Sequence, residues 1–413
     1  MQNVPWKSDQ WFSSPWNHEP SVRETLELPE QVVFHDTTLR DGEQQAGVLF
    51  TAKQKVHIAG LLAEAGVGRI EAGMPAVSPE DELAIKEIVK AKLPSEIYVL
   101  SRCMKGDVQR AIDCGVDGVV MEIPSSRHLV ELGYRWTVER ALNLCVEATS
   151  YAHAQGLKVA FFPVDASRAD INEFLNLIQR VSTDGHMDSL GLVDTFGVLT
   201  PQAAAFYTQQ CKRFGVPLEA HFHMDYEMGV ANSCMSVSAG ASVIHTTVGG
   251  LGERAGNTPL EATAMALETL YNIPTGLNTT KLKQLNDLVM GFAGVPVPDQ
   301  KAIVGKRIFQ IESGMVAGWF GNVRDSDLTE VFPYLPSMVG QSPAEFVLGK
   351  GSGPDSIVMA AADVGVTDLS GPEITELLMM VKMESLGLRR LLTLDEFADL
   401  LSSMRTSNKA NEV

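Results

Sequence analysis

Residues 97–124 read Ile-Tyr-Val-Leu-Ser-Arg-Cys-Met-Lys-Gly-Asp-Val-Gln-Arg-Ala-Ile-Asp-Cys-Gly-Val-Asp-Gly-Val-Val-Met-Glu-Ile-Pro. Two short apolar runs, Ile97–Cys103 and Gly118–Pro124, flank a helix-like stretch, Val108–Cys114. Runs of this length are strand candidates. Gly115 follows Cys114 and supplies the left-handed stop that a helix-to-strand turn asks for. The unit is strand, helix, glycine, strand.

The same unit repeats outward in both directions. Upstream strand candidates are Gln31–Asp36 and Arg69–Met74. Downstream ones are Lys158–Asp165, Met187–Thr195, Pro217–Asp225 and Val243–Val248. Helices are expected over Ala52–Ala65, Pro79–Ala91, Thr137–Gln155, Arg168–Val181, Pro201–Phe214, Glu227–Ala239 and Pro259–Tyr271. On the first of these, Val56, Ala59, Leu62 and Ala63 share a face. Gly66, Gly156 and Gly215 repeat the glycine stop. Strands and helices thus alternate, eight of each, over residues 31–275. That number and span predict an α/β fold, a closed parallel (β/α)8 TIM barrel; an open doubly wound sheet is the competitor.

Two regions fall outside the rhythm. Residues 1–30 form an N-terminal arm in which Trp6, Trp11 and Trp16 recur every five residues, a period of neither helix nor strand. The arm is expected to pack its indoles on the main body or a second subunit, with a substrate lid as the other reading. Residues 276–413 form a mostly helical C-terminal region, with helices expected over Lys281–Ala293, Pro372–Leu386 and Leu394–Met404. Glycine-rich runs lie between them.

Of 413 residues, 45% are apolar and mean hydropathy is +0.03, which excludes a disordered chain. No apolar run nears the roughly 20 residues of a membrane span, and the start lacks a signal-peptide core. Lysine and arginine total 33 against 51 acids, a net charge of −18, which argues against a nucleic-acid partner. Five scattered cysteines fit reduced thiols in a cytoplasm better than disulfides.

Barrel enzymes work at the C-terminal ends of their strands. Ionisable residues crowd those ends here, while the strands themselves read as apolar. His221 and His223 are two apart on a strand, so both rings face one side and can grip one ion. Zinc, manganese, iron and magnesium all accept such ligands. Strands 1 and 7 are separated only by strand 8 in a closed barrel. Asp41 is therefore placed to be the carboxylate ligand, or else to pair with Arg40 or Arg102. Asn257, in the loop after strand 8, could add an amide oxygen.

Such a site suits chelation of a 2-oxo acid, the metal acting as a Lewis acid on the ketone. Arg40 offers a fixed positive fork for a developing enolate or alkoxide. Glu71 could hold that guanidinium, and Thr195 could give a hydroxyl to the substrate carboxylate. Cys103 reads as a nucleophile or as a small buried residue. Gly249, Gly250, Gly252 and Gly256 have the wrong spacing for a dinucleotide fingerprint and fit either a mobile loop or a tight turn.

Three motifs carry a resemblance: Asp36-Thr37-Thr38-Leu39-Arg40-Asp41-Gly42-Glu43-Gln44, His221-x-His223-x-Asp225, and Gly252-Glu253-Arg254-Ala255-Gly256-Asn257. Together they resemble the DRE-TIM metallolyase superfamily, in its 2-isopropylmalate, homocitrate and citramalate synthase branch. The resemblance implies condensation of an acyl-CoA, usually acetyl-CoA, with a 2-oxo acid, followed by thioester hydrolysis. It implies Asp41, His221 and His223 as ligands of a divalent ion (Mg2+, Mn2+ or Zn2+), with Asn257 close by. It implies Arg40 as the catalytic arginine, Glu71 as its partner and Thr195 as a substrate contact. It also implies a role in amino-acid biosynthesis and a homodimer.

The chain departs from the family pattern at three points. Val164 stands where the synthases usually carry a Glu that touches the oxo acid, which implies a more apolar acceptor pocket. Ile311, Val316 and Gly351 stand where the C-terminal region usually carries histidines, and none of these can move a proton. The chain is also expected to lack the leucine-sensing regulatory domain of long isopropylmalate synthases, and feedback by that route is not expected. The base that takes the α-proton is then His128 or a metal-bound water. Arg40, Arg102, Arg127 and Arg254 are expected to gather a local positive field for anionic substrates. A carbon–carbon lyase or aldolase acting on a 2-hydroxy acid is the alternative function; an inactive binding subunit is a third.

Overall fold

The computed structural model describes residues 4–411. The chain forms two compact units. One comprises Ser14–Pro298 with Ala302–Val304; the other comprises the residues up to Ser13, Asp299–Lys301 and the chain from Gly305 onward.

The first unit is the expected TIM barrel. Its strands are β1 (Val33–Asp36), β2 (Arg69–Glu71), β3 (Glu96–Arg102), β4 (Gly118–Pro124), β5 (Lys158–Val164), β6 (Ser189–Asp194), β7 (Leu218–Phe222) and β8 (Val243–Thr246). They pair in parallel in chain order, and β8 closes on β1 with His35 opposite His245. Helix starts follow local chemistry. Thr51 and Gln54 make a capping box before Ala52–Glu64. Ser78 and Thr200 cap helices that open on Pro79 and Pro201, where a missing N–H costs nothing.

The observed elements match the expected ones closely, with differences at their ends. The fifth helix of the barrel begins at Ile171 rather than Arg168, because the Asp170 side chain accepts from the amides of Asn172 and Glu173. The helix expected over Val108–Cys114 starts earlier, at Lys105. Strand β7 ends at Phe222, so His223 lies just beyond it, bridged to Asn257.

The barrel interior corrects one expectation. It is apolar on one side only, where Tyr98, Leu100, Val120, Ala160, Phe162 and Val193 pack together. On the other side His35, Glu71, Glu219 and His245 are fully buried. Inward and outward residues alternate along every strand, so a run that reads as apolar still sends isolated polar side chains inside.

In the second unit, Gln310–Ile311 pairs in parallel with Glu345–Phe346. Helices Pro354–Asp363, Gly371–Leu388 and Leu394–Asn411 enclose a core containing Ile357, Leu377, Val381, Phe397 and Leu401. The start of the chain belongs to this unit: Trp11 bridges Tyr334, and Lys7 Nζ meets Glu330 Oε1 at 2.7 Å. Trp6 and Trp11 are half-buried and Trp16 is exposed.

Gly118 shows how tightly the interior is filled. A Cβ there would sit 2.4 Å from the Tyr98 ring. Gly118→Ala should therefore destabilise the barrel by about 1–3 kcal/mol. A thermal midpoint equal to that of the parent would show that Tyr98 has room to move.

Candidate active site at the barrel mouth

The turn after β1 is wound on one carbonyl. Thr37 O accepts from the amides of Arg40 (3.1 Å), Asp41 (2.8 Å) and Gly42 (3.1 Å), while Thr37 N donates to Thr246 O at 2.7 Å. Asp36 Oδ1 accepts from Thr38 N at 2.9 Å, and Thr38 Oγ1 accepts from Val248 N at 2.8 Å. These bonds lock the turn to β8 and aim Arg40 and Asp41 over the barrel.

Arg40 is the centre of the site. Its Nε donates to Glu71 Oε1 at 2.8 Å, its Nη2 to Glu71 Oε2 at 3.2 Å, and its Nη1 lies 3.3 Å from Asp41 Oδ2. Burial pushes the Asp41 carboxyl up, but Arg40 and the two histidines overcome it and hold it well below the usual carboxylate range. Burial raises the Glu71 carboxyl against the pull of Arg40.

Asp41, His221 and His223 converge. His221 Nε2 lies 3.3 Å from Asp41 Oδ2 and 3.3 Å from His223 Nε2; His223 Nε2 lies 3.8 Å from Asp41 Oδ2. Burial pushes the His221 imidazole down to about 3, against the pull of Asp41. Two neutral imidazoles with their Nε2 atoms turned toward one another and an ionised carboxylate suit a shared cation. Ligand atoms roughly 2.1 Å from one ion fall about this far apart. Asn257 donates through Nδ2 to Leu251 O at 3.1 Å, and its buried Oδ1 has no partner among the described residues. That orphaned acceptor, on a residue bridged to His223, could serve the ion as a fourth ligand. The donor set fits a divalent metal.

The loop carrying Asn257 is a tight turn. Gly252 and Gly256 have φ of +152° and +87°; a Cβ would fall 2.2 Å from Asn257 Nδ2 at the first and 1.9 Å from Gly250 O at the second. No side chain fits at either position. Arg254 reaches back from this loop to Asp225 (2.8 and 3.0 Å) and to Thr195 O (2.6 Å). Phe196 lies beneath the guanidiniums of both Arg254 and Arg168.

Thr195 and His128 meet around a residue the sequence did not single out, Asp165. The amide of Asp165 donates to Thr195 Oγ1 at 2.8 Å. Its carboxylate accepts from Arg168 Nε at 2.6 Å and Ser126 Oγ at 2.5 Å, and holds His128 Nε2 at 2.8 Å. Its place at the end of the fifth strand was the available signal. Val164 packs half-buried against the apolar side of the interior. Arg102 is bound to Asp107 at 2.6 and 3.1 Å, and Arg127 to Glu173. Neither stands in the Arg40 cluster. Cys103 is buried, and burial pushes its thiol well up, which removes it as a nucleophile.

A second acidic and imidazole layer lies behind the cluster. His245 Nε2 meets Glu219 Oε2 at 2.7 Å, Glu219 Oε1 accepts from Arg69 at 2.6 Å, and the rings of His35 and His245 stack at 4.2 Å. Sequence reading missed this layer because its members stand singly within apolar strands.

The HMGL-like family model matches residues 31–289. The chain belongs to the HMGL-like family. A homocitrate synthase of Methanopyrus kandleri is 40% identical over 93% of this chain and 94% of its own length. A 2-isopropylmalate synthase of Methanocaldococcus jannaschii is 36% identical over 87% of this chain and 69% of its own. Among solved structures, the HMG-CoA lyase of Bacillus subtilis superposes with a TM-score of 0.59 at 20% identity, covering 66% of this chain and 97% of the lyase. The HMGL-like match spans every strand of the barrel and all the residues of the Arg40 cluster.

Asp36 gives the turn a pH dependence. Its buried Oδ2 has no partner among the described residues, and burial raises the carboxyl to about 7. The folded form therefore keeps a proton that the unfolded chain releases near pH 4, and stability is lost as pH rises from there through 7. Asp36→Asn removes that loss. Its thermal midpoint, relative to the parent, should rise between pH 5 and pH 8; a constant difference would contradict the burial argument.

Proposed function

We propose that this chain is a metal-dependent synthase that condenses an acyl-CoA, acetyl-CoA, with a 2-oxo acid to give a 2-substituted malate-type product and CoA. The observation that carries the reading is the convergence of Asp41, His221 and His223 beside the Arg40–Glu71 pair. The similarity to synthases extends over 93% of this chain, beyond the barrel, whereas the lyase likeness covers 66% of it. That favours condensation over cleavage.

Asp41, His221, His223 and Asn257 would hold the ion, Mg2+, Mn2+ or Zn2+. A divalent cation there supplies Lewis-acid polarisation of the ketone oxygen. Arg40 stabilises the negative charge that grows on the reacting oxygens, in a buried setting where a fixed guanidinium acts strongly. Glu71 fixes its orientation. Thr195 Oγ1 accepts from Asp165 N, which leaves its O–H to donate to the substrate carboxylate. His128 is held through Nε2 by Asp165, so Nδ1 is the nitrogen that takes the methyl proton of the acetyl thioester. The resulting enolate carbon attacks the ketone carbon, and the ketone oxygen gains a proton. Water then cleaves the thioester and releases the CoA thiol. His128 supplies the proton handling that Ile311, Val316 and Gly351 cannot.

The enzyme is read as a cytoplasmic homodimer. Its five cysteines are free and buried, which suits a reducing compartment. Helix Gly314–Val323 exposes Met315 and Trp319, apolar surface of the kind a second subunit covers. Among the described residues, no helix is long and apolar enough to cross a membrane.

The test is thiol release from acetyl-CoA with a panel of 2-oxo acids and each metal. His223→Ala should lose bound metal and lower the rate at least about a hundredfold. His128→Ala should keep the metal and lower kcat by about 10²- to 10⁴-fold. Pyruvate or glyoxylate formed from 2-hydroxy acids, with no thiol from any acceptor, would overturn the synthase reading.

A further inference from the structure

Among the described residues, one acidic side chain faces the site without a partner. On β3, β4 and β5 the even-numbered residues point into the barrel, where Leu100, Val120 and Phe162 share the apolar cluster with half-buried Val164. Glu122 has the same parity on β4 and stands beside Arg102 on β3 and Phe162 on β5. Its charged neighbours are Arg40, Glu71, Arg102 and Asp41. Yet among the described residues its carboxylate makes no hydrogen bond or ion pair. The nearby guanidiniums are already engaged: Arg40 by Glu71 and Asp41, Arg102 by Asp107. Arg168 and Arg254 are engaged in turn by Asp165 and Asp225.

We propose that Glu122 selects the acceptor: the second substrate is a 2-oxo acid with an uncharged, apolar side chain, and acceptors bearing a second carboxylate are excluded. This rests on the synthase reading above. With Arg40 and the ligand cluster holding the reacting end, the substituent on the ketone extends toward β3, β4 and β5. There it meets Leu100, Val120, Phe162 and Val164, which favour an alkyl group. A second carboxylate would instead be buried beside Glu122 with no unengaged cation to receive it, and like charges so placed are strongly unfavourable. Admitting it would require an added proton or the breaking of the Arg102–Asp107 pair. Glu122 is thus a specificity residue that works by repulsion, with the apolar wall as its attractive counterpart.

The experiment compares initial rates of thiol release by the full chain, with Mg2+, Mn2+ or Zn2+ and acetyl-CoA, for pyruvate, 2-oxoisovalerate and 2-oxoglutarate. The monocarboxylic acceptors should exceed 2-oxoglutarate in kcat/KM by about a hundredfold or more. Glu122→Gln should narrow that gap about tenfold, through KM for 2-oxoglutarate, while kcat for the best monocarboxylic acceptor stays within about threefold of the parent. A preference of the parent for 2-oxoglutarate overturns the proposal and leaves the synthase reading standing. An unchanged ratio in a folded Glu122→Gln variant also overturns it. The parent's own ratio decides the matter if that variant does not fold. Absence of thiol release with every acceptor overturns the synthase reading and this inference with it.

Discussion

The Arg40 guanidinium is buried between the carboxylates of Glu71 and Asp41, and the barrel mouth is organised around that arrangement. A lone buried guanidinium is strongly unfavourable, and so is a lone buried carboxylate. Bidentate contact with Glu71 neutralises one pair and fixes the plane of the fork. The edge of that fork then holds Asp41 ionised, and ionised Asp41 gives the two imidazoles a reason to converge. Remove the guanidinium and Glu71 is left as an uncompensated buried acid. The same groups that make the site chemically capable are therefore the ones whose burial must be balanced.

That balance continues below the site. Arg69, Glu219 and His245 form a buried chain on the inner wall, and His35 stacks on His245 beside Glu71. One half of the barrel interior is thus a polar network and the other a hydrocarbon wall. A substrate entering the mouth meets fixed charges on the side of β1, β2, β7 and β8, and alkyl surface on the side of β3, β4 and β5. In the proposed reaction this asymmetry would orient the 2-oxo acid before any chemistry begins.

The loop from Gly249 to Asn257 joins three strand ends. Its glycines permit backbone packing that no other residue allows, and the same turn sets Asn257 in a backbone bridge with His223. Arg254, on the same loop, ties the ends of β6 and β7 through Thr195 O and Asp225. Rigid geometry at the mouth comes from this stitching more than from the short strands.

The amino-acid sequence by itself determined the barrel. Strand-length apolar runs, helical periodicity and glycine stops are local signals, and a closed parallel sheet is the arrangement that buries eight such units. It also pointed to the members of the candidate metal cluster, because the two-residue spacing of His221 and His223 and the adjacency of Arg40 and Asp41 survive in one dimension. Only the tertiary structure decided the rest. Asp165 became the hub of Ser126, His128, Arg168 and Thr195 through contacts up to 39 residues apart in the chain. Glu122 stood out only once the alternation on β4 showed which way it faces, and Arg102 left the Arg40 cluster once Asp107 was seen to hold it. Whether a single polar residue in an apolar strand is a partner, a plug or a spectator depends on the strand beside it, and that neighbour is supplied by closure of the barrel.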